Sequence, residues 1–254
     1  MTHGILYCGD LHSQFRHVIE AAGRTKAACV VLLGDMEPSR PLEQEMAPLT
    51  KHGVPWYFVG GNHDADSAEL VERVWNENTI EHNVHGRVVQ LPDGTRLAGL
   101  GGVFREAVWY PDPAAALGGA PAFRTREEHA MVTPHQDRWQ GGHHFKHWGS
   151  IYPADLDDLA ELEADVLITH EAGGYHPNGF EIVDDLARAL GVRVHVHGHQ
   201  HDALDSSARW ERQGFKSFGV GLRGITAIDA AGVAKVIAPG ELDAERARLR
   251  RAAP

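Results

Sequence analysis

Short apolar runs alternate with amphipathic stretches through the first 80 or so residues of the chain. The runs in "GILYCGD", "CVVLLGD" and "VPWYFVGGN" have the length of strands, lack an exposed polar face, and each ends in glycine followed by a polar residue. Continuous apolar runs of this size predict strands buried on both faces. Between and after them, "FRHVIEAAGRT", "LEQEMAPLTKHG" and "AELVERVWNEN" return an apolar residue every three or four positions, the period of a helix with one buried stripe. Strands alternating with such helices predict βαβ units and a mostly parallel sheet. Residues 84–102 differ, because two apolar runs flank Pro-Asp-Gly-Thr, and "GITAIDAAGVAKVIAP" repeats that arrangement near the end. Both predict hairpins. Parallel units followed by hairpins point to two sheets packed face to face with helices outside.

The rhythm breaks at residues 104–150, which carry Trp109, Trp139 and Trp148, paired glycines and five histidines between 129 and 147. Connections longer than about 12–15 residues are usually functional or disordered. This one is expected to be an insert within a single domain spanning 1–254, tethered so as to cap a site. Trp109, Tyr110, Phe145 and Trp148 are candidates to stack on a substrate ring, and Arg124, Arg126, His143, His144 and Lys146 to meet a second phosphate. The α/β pattern then resumes through "DVLITH" and "VRVHVHG", and "ELDAERARLRRAAP" reads as a charged surface helix.

Lys and Arg total 24 against 35 Asp and Glu, a net charge of −11 that repels nucleic-acid backbones and anionic membranes. No apolar run approaches the roughly 18 residues of a membrane span. Cys8 and Cys29 fall singly in apolar runs, with no spacing of a disulfide framework, so a reducing, cytoplasmic setting is expected. The 18 histidines are the outlier, and imidazole is both the commonest metal ligand and the usual proton carrier near neutrality.

In "VRVHVHGHQHD" a histidine occupies every second position from 195 to 201, all on one face if the strand runs straight through. In α/β folds, function gathers just past the carboxyl ends of strands. There the chain reads Gly9-Asp10-Leu11-His12, Gly34-Asp35, Gly60-Gly61-Asn62-His63-Asp64, His170, and Gly198-His199-Gln200-His201. Each alone is ordinary turn chemistry; five in order, each bearing an oxygen or nitrogen ligand, are not.

Asp10-x-His12, Gly34-Asp35, Gly61-Asn62-His63-Asp64, His170 and Gly198-His199-x-His201 resemble the full signature of the calcineurin-like metallophosphoesterase superfamily, in the family's order. The resemblance implies a four-layer α/β/β/α double β-sandwich and two divalent transition-metal ions. One ion takes Asp10, His12 and His201, the other Asn62, His170 and His199, and Asp35 bridges them. Mn is the expected metal, with Fe, Zn, Co or Ni suited to the same donors. The implied chemistry is attack on phosphorus by a hydroxide held between the ions, with His63 protonating the leaving oxygen. Asp64 or Glu37 would orient His63. His195 and His197, further from the strand tip, are expected to pack or to support ligands. His3, His17 and His52 are expected at the surface.

The family's protein phosphatases and diadenosine tetraphosphatases carry an acidic residue and then arginine soon after the Gly-Asp, whereas "GDMEPSRP" places Pro38 and Ser39 there. A phosphodiesterase or phosphomonoesterase for a small or nucleotide-like ester is the reading that remains. The alternatives are a nuclease using Arg124, Arg126, Arg138 and Lys146, which the acidic balance opposes, and a metal-free scaffold, which would not need every ligand position intact. No oligomeric state is implied.

Overall fold

The computed structural model describes residues 4–229 and 231–252, with side chains as far as Arg250, so His3 and the end of the charged tail lie outside the described part. The first half runs β1 (Ile5–Cys8), α1 (Arg16–Thr25), β2 (Cys29–Leu32), α2 (Leu42–Lys51), β3 (Trp56–Phe58), α3 (Ala68–Val74), then the hairpin β4 (Arg87–Gln90) and β5 (Arg96–Leu100). The second runs α4 (Arg126–Val132), α5 (Pro153–Ala160), β6 (Val166–Thr169), α6 (Glu181–Ala189), β7 (Val194–His197), α7 (Trp210–Gln213), β8 (Lys216–Gly219), β9 (Ile225–Ile228), β10 (Ala234–Ala238) and α8 (Asp243–Ala252).

The strands form two five-stranded sheets, ordered β10-β9-β1-β2-β3 and β4-β5-β6-β7-β8. In the first, β1, β2 and β3 are parallel and the β9–β10 hairpin adds antiparallel. In the second, β5 to β8 are parallel and β4 adds antiparallel.

Alternation along the strands divides the core into three layers. Ile5 and Tyr7 of β1, Cys29 and Val31 of β2, Val166 and Ile168 of β6, and Val194 and Val196 of β7 meet between the sheets. Leu6, Cys8, Val30 and Leu32 point the other way, against Val18, Ala21 and Ala22 of α1 and Leu42, Met46 and Leu49 of α2. Leu167 and Ala98 pack against Leu156 and Leu159 of α5 and Val183, Leu186 and Ala187 of α6. The order is thus helix, sheet, sheet, helix. Cys8 and Cys29 lie on opposite faces of the first sheet, both as free thiols.

Residues 104–150 pack against this frame. Phe104, Val108 and Trp109 are buried in the outer core of the second sheet. A capping box, with Thr125 and Glu128 satisfying each other's backbone N–H groups, starts α4. Arg124 pairs with Asp157 at 2.6 Å, and Arg126 pairs with Asp155 while lying 4.7 Å over the Tyr152 ring. A bridge between Val103 and Ser150 closes the base of the insert.

Candidate metal centre

The parallel strands β1, β2, β3, β6 and β7 end on one rim of the sandwich, and the turn after each delivers a polar side chain there. The backbone bends sharply to do so. Asp10, His12, Asp35, His199 and His201 have φ of 42°, 40°, 49°, 65° and 54°, in the left-handed region that non-glycine residues rarely enter. Such positions cost on the order of 1–3 kcal/mol each and cluster where a site dictates them.

Two overlapping donor sets result. Asp10, His12, Asp35 and His201 each bring one side-chain oxygen or nitrogen within 4.8 Å of the others, and so do Asp35, His170 and His199. Asp35 belongs to both. Asn62 adds an amide oxygen to the second set, 3.2 Å from His170 Nε2. The Nε2 atoms of His12 and His201 stand 3.3 Å apart, and His201 Nε2 is 3.8 Å from Asp10 Oδ1. Gly61 lets the sets close up, since a Cβ there would lie 2.2 Å from Asp35 Oδ1 and 2.7 Å from His170 Cε1.

Surrounding groups fix which ring nitrogen is presented. His170 donates from Nδ1 to the Leu33 carbonyl at 2.7 Å, leaving Nε2 facing Asp35. His12 turns Nδ1 to Glu37 and presents Nε2. Imidazole ligands are commonly oriented in this way. The backbone N–H of His199 donates to both Asp10 oxygens, at 2.9 and 3.1 Å, and that of His63 to Asp35 Oδ1 at 2.8 Å.

Four buried carboxyl groups, Asp10, Asp35, Asp64 and Glu171, crowd the centre. Burial pushes the Asp10 carboxyl up to about 7 and that of Glu171 up to about 7. His170, whose charging burial opposes, is nevertheless raised to about 10 by Asp35 beside it, and Asp35 is correspondingly held below the usual carboxylate range. Imidazole nitrogens, carboxylates and an amide oxygen, in two sets joined by one shared carboxylate, fit two divalent transition-metal cations.

His63 lies at the rim with its side chain 45% exposed, and its Nδ1 meets Asp66 Oδ2 at 2.6 Å. Neither expected carboxylate takes that role. Asp64 turns inward, accepting from the backbone N–H groups of Met36, Glu37 and Gly61 at 2.8, 2.9 and 2.8 Å, and Glu37 is bonded to His12. The reason is local: His63–Ala65 form a 3-10 turn, in which residue i+3 returns to the side of residue i while i+1 points about a third of a turn away.

His195 and His197 answer to their own partners. His197 spends Nδ1 on the Gly198 carbonyl at 2.8 Å and Nε2 on the Tyr175 hydroxyl at 2.5 Å. His195 places Nε2 at 2.8 Å from Thr169 Oγ1 and leaves Nδ1 buried without a partner among the described residues. Both face away from the inter-sheet layer that Val194 and Val196 enter. The chain must turn at Gly198 before His199 and His201 reach the rim.

Three residues near the centre escaped the sequence reading. Asp66 was signalled only by its spacing of three from His63 in a turn. Glu171 follows His170 and stands 3.8 Å from His199 Nε2. Arg105 opens the insert, within electrostatic reach of Asp66, Asp35 and Glu171. Of the insert's expected substrate contacts, Trp109 is instead buried, with its indole N–H on the Gly119 carbonyl at 3.0 Å, and Arg124 and Arg126 are taken up by ion pairs.

The family of calcineurin-like phosphoesterases matches residues 3–203 of the chain. An uncharacterized protein of Haemophilus influenzae is 34% identical over 228 residues, covering 90% of this chain and 94% of that protein. Among solved structures, TT1561 of Thermus thermophilus superimposes with a TM-score of 0.57 at 14% identity, covering 93% of this chain and 98% of its own. A dimetal phosphatase from Danio rerio gives a TM-score of 0.53 at 12% identity with the same coverage, 93% and 98%. At these identities the two structures bear on the fold alone.

Proposed function

The chain belongs to the calcineurin-like phosphoesterase family, and from that premise we propose that it is a metal-dependent hydrolase of phosphoric esters, a phosphodiesterase or phosphomonoesterase for a small or nucleotide-like substrate. The observation that carries this reading is the membership of Asp35 in both donor sets, the arrangement needed to hold two cations side by side. Two such cations, Mn foremost, would supply charge against the phosphoryl oxygens and acidify the attacking water. Asp10, His12 and His201 hold one side of the centre, and Asn62, His170 and His199 the other.

The chain's own groups do the rest. His63, anchored through Nδ1 by Asp66, keeps Nε2 free at the exposed rim to hand a proton to the departing oxygen. The acidic balance favours a small ester over a nucleic-acid strand. Purified protein should bind close to two transition-metal equivalents, lose hydrolysis of bis(p-nitrophenyl) phosphate and p-nitrophenyl phosphate in chelator, and regain it with Mn. Asp35→Asn should empty both positions, whereas His12→Ala or His170→Ala should weaken one. Turnover that survives exhaustive chelation overturns the reading.

A further inference from the structure

Arg105 is a half-buried cation whose side chain has no partner among the described residues. Its Nε is shut off from solvent with no hydrogen bond, and its guanidinium makes no hydrogen bond or ion pair with any described residue. The insert's other arginines are all engaged: Arg124 with Asp157, Arg126 with Asp155, and Arg138 with the Thr133 carbonyl at 2.9 Å. A guanidinium stays charged in proteins, so leaving its Nε desolvated and unpaired carries a cost that an incoming anion would relieve.

Its position indicates what that is. Gly102 N–H donates to the Gly60 carbonyl at 2.7 Å, and Phe104 N–H to Glu171 Oε1 at 3.1 Å. The backbone leading into Arg105 is therefore strung between the loop that carries Asn62 and the loop that carries His170, two of the loops that supply the second donor set. The far side is fixed as well, because the Arg105 carbonyl accepts from Val108 and Trp109, at 2.8 and 2.7 Å, and both of those side chains are buried. Asp35, Asp66 and Glu171 draw on the positive charge of Arg105, yet none of them touches it. Arg40, the arginine nearest after the Gly-Asp of β2, is tied to Glu45 at 3.2 Å.

We propose that the Arg105 guanidinium binds the phosphoryl group at the centre, donating to non-bridging oxygens of the substrate and of the orthophosphate product. The fork of N–H donors matches two oxygens of a phosphate, and a backbone already fixed on both sides of Arg105 need not be ordered when the anion arrives. The inference rests on the phosphoesterase reading of the centre and identifies an anion contact that the insert supplies.

The test is orthophosphate binding to Mn-loaded protein by calorimetry, alongside orthophosphate inhibition of p-nitrophenyl phosphate hydrolysis, for wild type, Arg105→Ala, Arg105→Lys and Arg124→Ala. Loss of a charge-assisted hydrogen bond predicts binding weakened by about 10- to 100-fold in Arg105→Ala, with Arg105→Lys between it and wild type. Arg124→Ala should match wild type, and bound metal and thermal midpoint should be unchanged throughout. Equal orthophosphate affinity in wild type and Arg105→Ala overturns the proposal, as does a loaded wild type that binds no orthophosphate. If Arg105→Ala does not fold, Arg105→Lys decides by the same comparison. A wild type that hydrolyses no ester yet binds orthophosphate through Arg105 sinks the hydrolase reading and leaves this contact standing.

Discussion

Two positions separate a carboxylate that holds a loop from one that holds the His63 ring. Asp64 accepts three backbone N–H groups from two loops, so Asp64→Ala strands two buried donors at about 1–3 kcal/mol each and a third that is part-buried. Its thermal midpoint, followed by circular dichroism, should fall well below that of wild type whether or not metal is present. Asp66→Ala should melt close to wild type, because its carboxylate is exposed and serves the His63 ring. Its loss should appear in rate: about 10- to 100-fold for an alkyl phosphoester, the usual range for removing a group that orients a functional side chain, and little for a p-nitrophenyl ester, whose leaving group departs unprotonated. Equal losses on both esters would show that Asp66 acts on binding or folding. The sequence placed His63 beside Asn62 but could not choose its carboxylate, because that choice depends on the 3-10 geometry of a three-residue turn.

At the level of elements, the strands and most helices were readable because their faces are pure. β1, β2 and β6 are apolar on both sides since each lies between two packed layers. β7 looked anomalous, and its histidines show how far a period-two pattern can be trusted: His195 and His197 do share a face, but Gly198 ends the strand before His199. The insert was the least legible element. Its tryptophans look alike in sequence, yet Trp109 fills the outer core of the second sheet, packed edge-on to Phe104 at 5.3 Å between ring centroids, while Trp148 stays 38% exposed. Burial there is set by a core cluster shared with residues of α5 and α6, far along the chain, which local pattern does not record. Trp109→Ala should therefore cost about 3–5 kcal/mol, read from denaturant unfolding, and Trp148→Ala far less. Similar losses for both would place Trp148 in the core as well.

Across the whole molecule, what the sequence could not supply was convergence. Five strand ends were legible as separate polar turns, but their meeting on one rim requires β1, β2 and β3 of one sheet to face β6 and β7 of the other, with all five running the same way relative to the rim. The insert also packs a histidine cluster, His129, His143 and His147, with ring centroids 4.5 to 6.1 Å apart, and burial of these rings predicts that the insert's packing is sensitive to acid. His147 is pushed down to about 3, chiefly by burial and then by His129 and His143, with Arg105 and His144 adding to the effect. His129 is lowered by burial and His143, and His143 by burial, Arg126 and His144, against opposing pulls from Glu127 and its bond to the His144 carbonyl. Bases whose folded pKa is depressed bind more protons when unpacked. Stability is therefore fully present above the ordinary histidine value of 6.5 and is lost as pH falls toward about 3. The raised carboxyls of Asp10 and Glu171 act in the opposite sense, so the informative quantity is a difference between variants. His147→Gln removes the most strongly shifted of the three rings and can still reach Ser150, whose hydroxyl lies 3.1 Å from His147 Nδ1. Between pH 7 and pH 4.5 the thermal midpoint of wild type should drop further than that of His147→Gln, with both proteins in the same buffer and metal. Parallel curves for the two would mean that the cluster does not couple the insert's packing to protons.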